Sequence, residues 1–116
     1  MTTSLSIDRI QLRERCLGID TFADKLAASF VATLPSERAA LRSAAADANL
    51  PQVAKQAHRL QGSASNVCAN ELSEAAKAVE QAARHALADS TASLIENVES
   101  AIDRILDEFE KGLLNP

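Results

Sequence analysis

The stretch NLPQVAKQAHRLQGSASNV, residues 49–67, decides the fold. Asn49 reads as an N-cap with Pro51 just inside it. Wound at 100° per residue, Val53, Ala57, Leu60, Ala64 and Val67 then fall within one narrow sector. A helix patterned in this way buries that sector against other helices. His58 stands roughly 140° from the middle of the sector and so faces solvent. On the same surface lie Ala54 one turn before it, Gly62 one turn after and Ser65 two turns after, with Lys55 and Arg59 on the other flank.

The rest of the chain repeats the pattern on both sides. A first short helix is expected from Ser6 as N-cap, through Ile7, Ile10 and Leu17, stopped by Gly18, whose missing Cβ permits positive φ. Asp20 reads as the N-cap of a second helix with Phe22, Leu26, Phe30 and Leu34 at four-residue spacing. Pro35 then denies the ladder a donor, so the spacing predicts a kink or restart there, and residues 20–48 form one bent helix or two consecutive ones. Asn70 is expected to cap a helix carrying Leu72, Ala76, Val79, Ala83 and Leu87. Asp89 or Ser90 is expected to cap the last, with Leu94, Val98, Ala101, Ile105 and Phe109, ended by Gly112 and Pro116.

Composition agrees with packed helices. Alanine and leucine are frequent, and the chain has only three Gly, three Pro and three Phe, with no Trp and no Tyr. Its 116 residues fit one domain over 1–116 and are too few for a kinase plus a receiver. Short connections between long amphipathic helices favour antiparallel neighbours. The expected fold is therefore all-α, an antiparallel up-and-down four-helix bundle with the short N-terminal helix packed across one end, and a monomer.

The net charge is −4 and the twelve Lys and Arg are dispersed, so no basic stripe exists to neutralise nucleic-acid phosphates. The polar Met1–Ser6 stretch and the lack of an apolar span predict a cytoplasmic protein that makes no use of a membrane. Cys16 and Cys68 read as two buried thiols without chemistry.

An exposed helical histidine is usually an ordinary surface residue. The neighbours of His58 give it a possible use. Glycine inside a helix costs about 1 kcal/mol relative to alanine, and at Gly62 it clears space beside an imidazole that is nucleophilic near neutral pH. Nearby cations offset the charge of an incoming phosphoryl group.

The segment AHRLQGSASNVCANELSEAAKAVE, Ala57 to Glu80, resembles the histidine phosphotransfer family. That family carries His-x-x-Lys-Gly and small residues on one helix, then a glycine, then a leucine on the next. His58, Gly62, Ser63, Ala64 and Leu72 match, and Glu80 matches the acidic residue that closes the pattern. The resemblance implies that His58 accepts a phosphoryl group from a receiver-domain aspartate and passes it to another. The partners implied are receiver domains of hybrid sensor kinases and of response regulators. Mg²⁺ is expected on the receiver, and this chain itself needs no cofactor.

Two positions depart from the family. Gln61 replaces its lysine, so hydrogen bonding by the amide and the charges of Lys55 and Arg59 must support the phosphoryl group. Lys55, one turn before His58, is the nearer surface neighbour. Cys68 replaces the family's glycine, which implies a turn that needs no positive φ.

Other chemistries lack their residues. No glycine-rich phosphate loop occurs, so ATP is not a substrate. If the helices flanking Cys68 are antiparallel, His58 and His85 are offset by roughly 10 Å along them and cannot share a metal; His85 reads as a surface residue near a helix end. Asp107, Glu108 and Glu110 read as a solvated face. The rival reading is a non-phosphorylated four-helix adaptor that binds receiver or regulatory proteins through the same surface.

Overall fold

A computed structural model of the chain describes residues 5–112. The expectations resting on Met1 to Ser4 and on Pro116 lie outside that range. Among the described residues there are five helices and no strand: α1 (Arg9–Arg15), α2 (Asp20–Ala46), α3 (Leu50–Asn66), α4 (Asn70–Arg84) and α5 (Ala88–Glu110). Helix α2 packs on α3 and α5, and α4 packs on α3 and α5, enclosing a common core. Bonds between helices record their sense. Arg38 and Arg42 of α2 pair with Asp103 and Glu99 of α5, and His58 and Gln61 of α3 bond Glu80 and Ser73 of α4. In both cases the numbers rise on one helix as they fall on the other.

Three connections between the long helices share one construction. In each, two backbone N–H groups return to the last turn of the preceding helix: Ala48 to Ala45 and Asn49 to Ala44, Cys68 to Ser65 and Ala69 to Ala64, Ala86 to Ala83 and Leu87 to Ala82. These are Schellman motifs, whose penultimate residue must be left-handed, and Ala48, Cys68 and Ala86 stand at φ +54°, +60° and +56°. The next residue is already the N-cap of the following helix, so each reversal takes three residues. Cys68 thus adopts the positive φ that its side chain was expected to exclude; the satisfied carbonyls of Ala64 and Ser65 outweigh the strain.

The same construction corrects the caps. Asn49 is the N-cap of α3, its side chain accepting from Gln52 N–H. The caps of α4 and α5, however, are Ala69 and Leu87 rather than Asn70 and Asp89 or Ser90, because the closing position of a Schellman turn favours an apolar residue. Helix α2 starts on Ile19 rather than Asp20, and α1 on Asp8 rather than Ser6, the Asp8 carboxylate accepting from Gln11 N–H.

Pro35 neither breaks nor restarts α2, which runs through it as one helix of 27 residues. Its ring is exposed, while Phe30, Val31 and Leu34 before it and Leu41 and Ala44 after it are buried. Proline inside a helix costs about 3 kcal/mol. Burial of a single large apolar side chain returns about 1.5–3 kcal/mol, so core contacts on both sides hold the helix together.

Helix α1 lies over the α3–α4 turn. Asp8 N–H donates to Cys68 C=O at 2.9 Å and Arg15 to Ser65 C=O at 2.8 Å, with Arg9 paired to Asp24 at 2.8 Å. Ile7, Leu12 and Cys16 point inward, whereas Ile10 and Leu17 are 76% and 88% exposed, against the expected stripe. The latch at Asp8 turns the Leu12–Cys16 face to the core. Leu17 and Gly18 are both left-handed residues of the turn, at φ +57° and +79°. Phe22 is half exposed, and Leu87 leaves the α4 stripe for the turn. The Glu108 carboxylate, buried, accepts from Ser6 N–H at 3.2 Å and ties the N-terminal segment to α5.

A left-handed alanine costs about 1 kcal/mol or more relative to glycine. Ala86→Gly, in an exposed turn away from His58, is therefore expected to stabilise the fold by about 0.5–1 kcal/mol once the extra freedom of unfolded glycine is deducted. The check is the midpoint of urea unfolding; an unchanged or lowered midpoint refutes the strain.

Candidate functional site

His58 sits in the middle of α3 with its side chain 64% exposed. Its ring is not free to turn, because Nδ1 lies 3.1 Å from Glu80 Oε1 on α4. A carboxylate only accepts, so Nδ1 carries the hydrogen, and in a neutral imidazole Nε2 then holds the lone pair. The other oxygen of Glu80 takes the Arg84 guanidinium, at 2.8 Å from Nε and 2.7 Å from Nη2. Burial alone would push the Glu80 carboxyl up, since its side chain is only 12% exposed. Hydrogen bonds from Arg84 and His58 and their charges outweigh burial and hold it below the usual carboxylate range. Glu80 is thus an anion that orients a histidine on one side and an arginine on the other.

Beside the ring opens a cleft of about 580 Å³. Helix α3 lines it with Pro51, Ala54, Lys55, His58 and Arg59, and α4 with Ala83 and Arg84. Lys55 and Arg59, expected to flank His58, do so. Gln61 does not line the cleft: it is half-buried, with its backbone carbonyl taken by Ser73 Oγ at 3.2 Å. Gly62 is exposed, and a Cβ built on it meets nothing within 4 Å. Ser65 is half-buried, its carbonyl held by Arg15.

Ala54 was expected on the open surface and is buried. The reason is that α3 packs against both α2 and α4, which widens its buried arc. Ala54 enters that arc towards Ala83, and Gln56 enters it on the other side, bonded to Glu37 of α2 at 2.6 Å. Ala54 forms the floor of the cleft rather than part of its rim.

The residue that sequence reasoning missed is Arg84. The signal was present, since Glu80 and Arg84 are four apart on one helix, the spacing at which a carboxylate and a guanidinium meet. His85 is the exposed C-cap residue of α4. Among the described residues no group of three or more His, Cys, Asp or Glu is placed to hold a metal, and no helix is long and apolar enough to cross a membrane.

The comparison with protein families bears directly on this histidine-bearing helix pair. The Hpt domain model matches residues 25–110, which takes in α3, α4 and α5 and most of α2. The chain belongs to the Hpt domain family. Hpt domains are histidine phosphotransfer modules of phosphorelays; they interact with receiver domains and in general have no ATP site of their own. No curated protein and no solved structure matches the chain.

The lowered Glu80 carboxyl has a consequence for stability. A carboxyl whose folded-state pKa lies below its unfolded value contributes stability that is full above the unfolded pKa and is lost as pH falls through the folded one. Glu80→Gln removes that contribution, so the difference in unfolding free energy between wild type and variant is expected to shrink as pH falls below the ordinary glutamate range. Denaturant unfolding at a series of acidic pH values checks this, and a difference that stays constant or grows on acidification contradicts it.

Proposed function

We propose that this chain is a phosphorelay intermediate in which His58 accepts a phosphoryl group from the aspartyl phosphate of one receiver domain and passes it to the aspartate of another. The observation that carries the reading is the Nδ1 contact to Glu80, which leaves Nε2 of a half-exposed imidazole as the nucleophile. In the forward step Nε2 attacks phosphorus, an N–P bond forms, the acyl O–P bond breaks, and its electron pair leaves on the receiver's carboxylate. The ring keeps its Nδ1–H and becomes positively charged, facing Glu80. The reverse step uses the same atoms.

The remaining assignments follow from that role. Lys55 and Arg59 offset phosphoryl charge from the cleft wall, and Gln61 supports it by hydrogen bonding alone. Ala54, Gly62 and Ser65 keep the approach clear. Mg²⁺ belongs to the receiver, whose carboxylates bind it, and the chain uses no ATP. Residues 1–116 act as one domain whose four long helices run up and down in antiparallel order with α1 across one end. It works as a cytoplasmic monomer that bridges receivers of hybrid sensor kinases and of response regulators, without nucleic acid or membrane. An adaptor with the same surface would bind receivers without being labelled.

Incubation with a phosphorylated receiver and Mg²⁺ is expected to place an acid-labile, base-stable phosphoramidate on His58, and ATP alone is expected to label nothing. Labelling of His58→Ala at the wild-type level refutes the assignment. An unlabelled wild type that still binds receivers favours the adaptor.

Open space at Gly62 separates sterics from folding. Gly62→Ala is expected to stabilise the helix by about 0.5–1 kcal/mol. Gly62→Leu is expected to keep wild-type helicity and melting but to lose transfer. Full transfer by Gly62→Leu removes the docking-clearance role.

A further inference from the structure

The cleft beside His58 offers three cations, Lys55, Arg59 and Arg84, and they are not equivalent. Lys55 and Arg59 have no hydrogen bond or ion pair among the described residues, so binding an anion would require each to order a long, free side chain. Arg84 is already ordered, held by Nε and Nη2 on Glu80 Oε2, the carboxylate whose Oε1 meets His58 Nδ1. A guanidinium has five N–H donors, so this bond leaves others free at the cleft wall.

Charge balance then points to an exchange. Before transfer, Glu80 carries one negative charge shared between Arg84 and a neutral imidazole. After transfer the ring is a cation on Glu80 Oε1, and the phosphoryl group brings close to two negative charges. Around Glu80 there are now two cations, the ring and Arg84, and two anions, the carboxylate and the phosphoryl group. The lowest-energy pairing joins the ring to Glu80 and a second cation to the phosphoryl oxygens. We infer that Arg84 is that cation: it exchanges its bond to Glu80 for one to the phosphoryl group on His58, and so does the work of the lysine that Gln61 replaces.

This inference rests on His58 as phosphoacceptor, and the experiment separates the two. Wild type, Arg84→Ala, Arg84→Lys, Lys55→Ala and Arg59→Ala are brought to equilibrium with a phosphorylated receiver, and the phosphorylated fraction of each is measured. Arg84→Ala is expected to lower the ratio of phosphorylated to free protein about two- to five-fold, more than either other alanine variant, and Arg84→Lys to recover part of the loss. In the wild-type protein the Arg84 Nε–H resonance, followed by NMR, is expected to move on phosphorylation and to stay put in His58→Ala treated alike. This second reading does not depend on how any Arg84 variant folds. Wild-type labelling by Arg84→Ala, a larger loss in Lys55→Ala or Arg59→Ala, or an unmoved Arg84 resonance overturns the inference while leaving His58 in place. Failure of wild type to be labelled, or label persisting in His58→Ala, overturns both.

Discussion

The site depends on the backbone turn Val67–Ala69, because that turn sets the register of α3 against α4. Cys68 in the left-handed region allows Cys68 N–H and Ala69 N–H to close on Ser65 and Ala64, and α4 leaves in the reverse direction with no slack. Counted from Cys68 at 1.5 Å per residue, His58 lies roughly 15 Å back and Glu80 roughly 18 Å forward, close enough in height for their side chains to meet. Insertion of one residue would rotate α4 by about 100° and carry Glu80 off the facing stripe. Helix α1 reinforces the turn from outside, through the bonds of Asp8 to Cys68 and of Arg15 to Ser65. A backbone conformation ten residues from His58 therefore governs which ring nitrogen meets Glu80.

This explains why so much of α3 was legible in the sequence and why the ends of the helices were not. The buried sector of α3 is strictly periodic, and burial of Val53, Ala57, Leu60, Ala64 and Val67 follows from it directly. Caps are local preferences, and at Ala69 and Leu87 two compete at one residue, since the position closes one helix and opens the next. At Ala69 and Leu87 the apolar demand of the first prevailed over the polar demand of the second, whereas at Asn49 the polar demand prevailed, its side chain accepting from Gln52 N–H. Cys68 misled, and Pro35 left one helix or two undecided, for a related reason: each carries a local penalty of a few kcal/mol or less, and packing or hydrogen bonds from outside the local stretch exceed it.

The candidate site was legible only in part, for a geometric reason. His58, Lys55 and Arg59 share one helix, so a helical wheel places them relative to one another. Glu80 and Arg84 come from a second helix, and their height against His58 depends on the turn, which the pattern of α3 does not contain. A resemblance to the family pointed at Glu80 without saying what it touches. Arg84 had no such pointer beyond its spacing from Glu80 and emerges only when both helices are placed.

The two cysteines show how the same burial that builds the site keeps other chemistry out of it. Both are buried, and both stand at the junction of α1 with the α3–α4 turn. Burial pushes the Cys68 thiol up; the charge of Arg15 pulls the other way and is outweighed, while Asp8 and Cys16 add to the rise. The thiolate is the reactive form, so a raised pKa together with full burial makes Cys68 a small apolar filler rather than a nucleophile. Glycine would relieve the strain at this φ but would leave empty the volume that the sulfur fills under α1. On this argument the departure from the family's glycine exchanges backbone ease for packing beneath α1, and the exposed imidazole of the α3–α4 pair is that of His58.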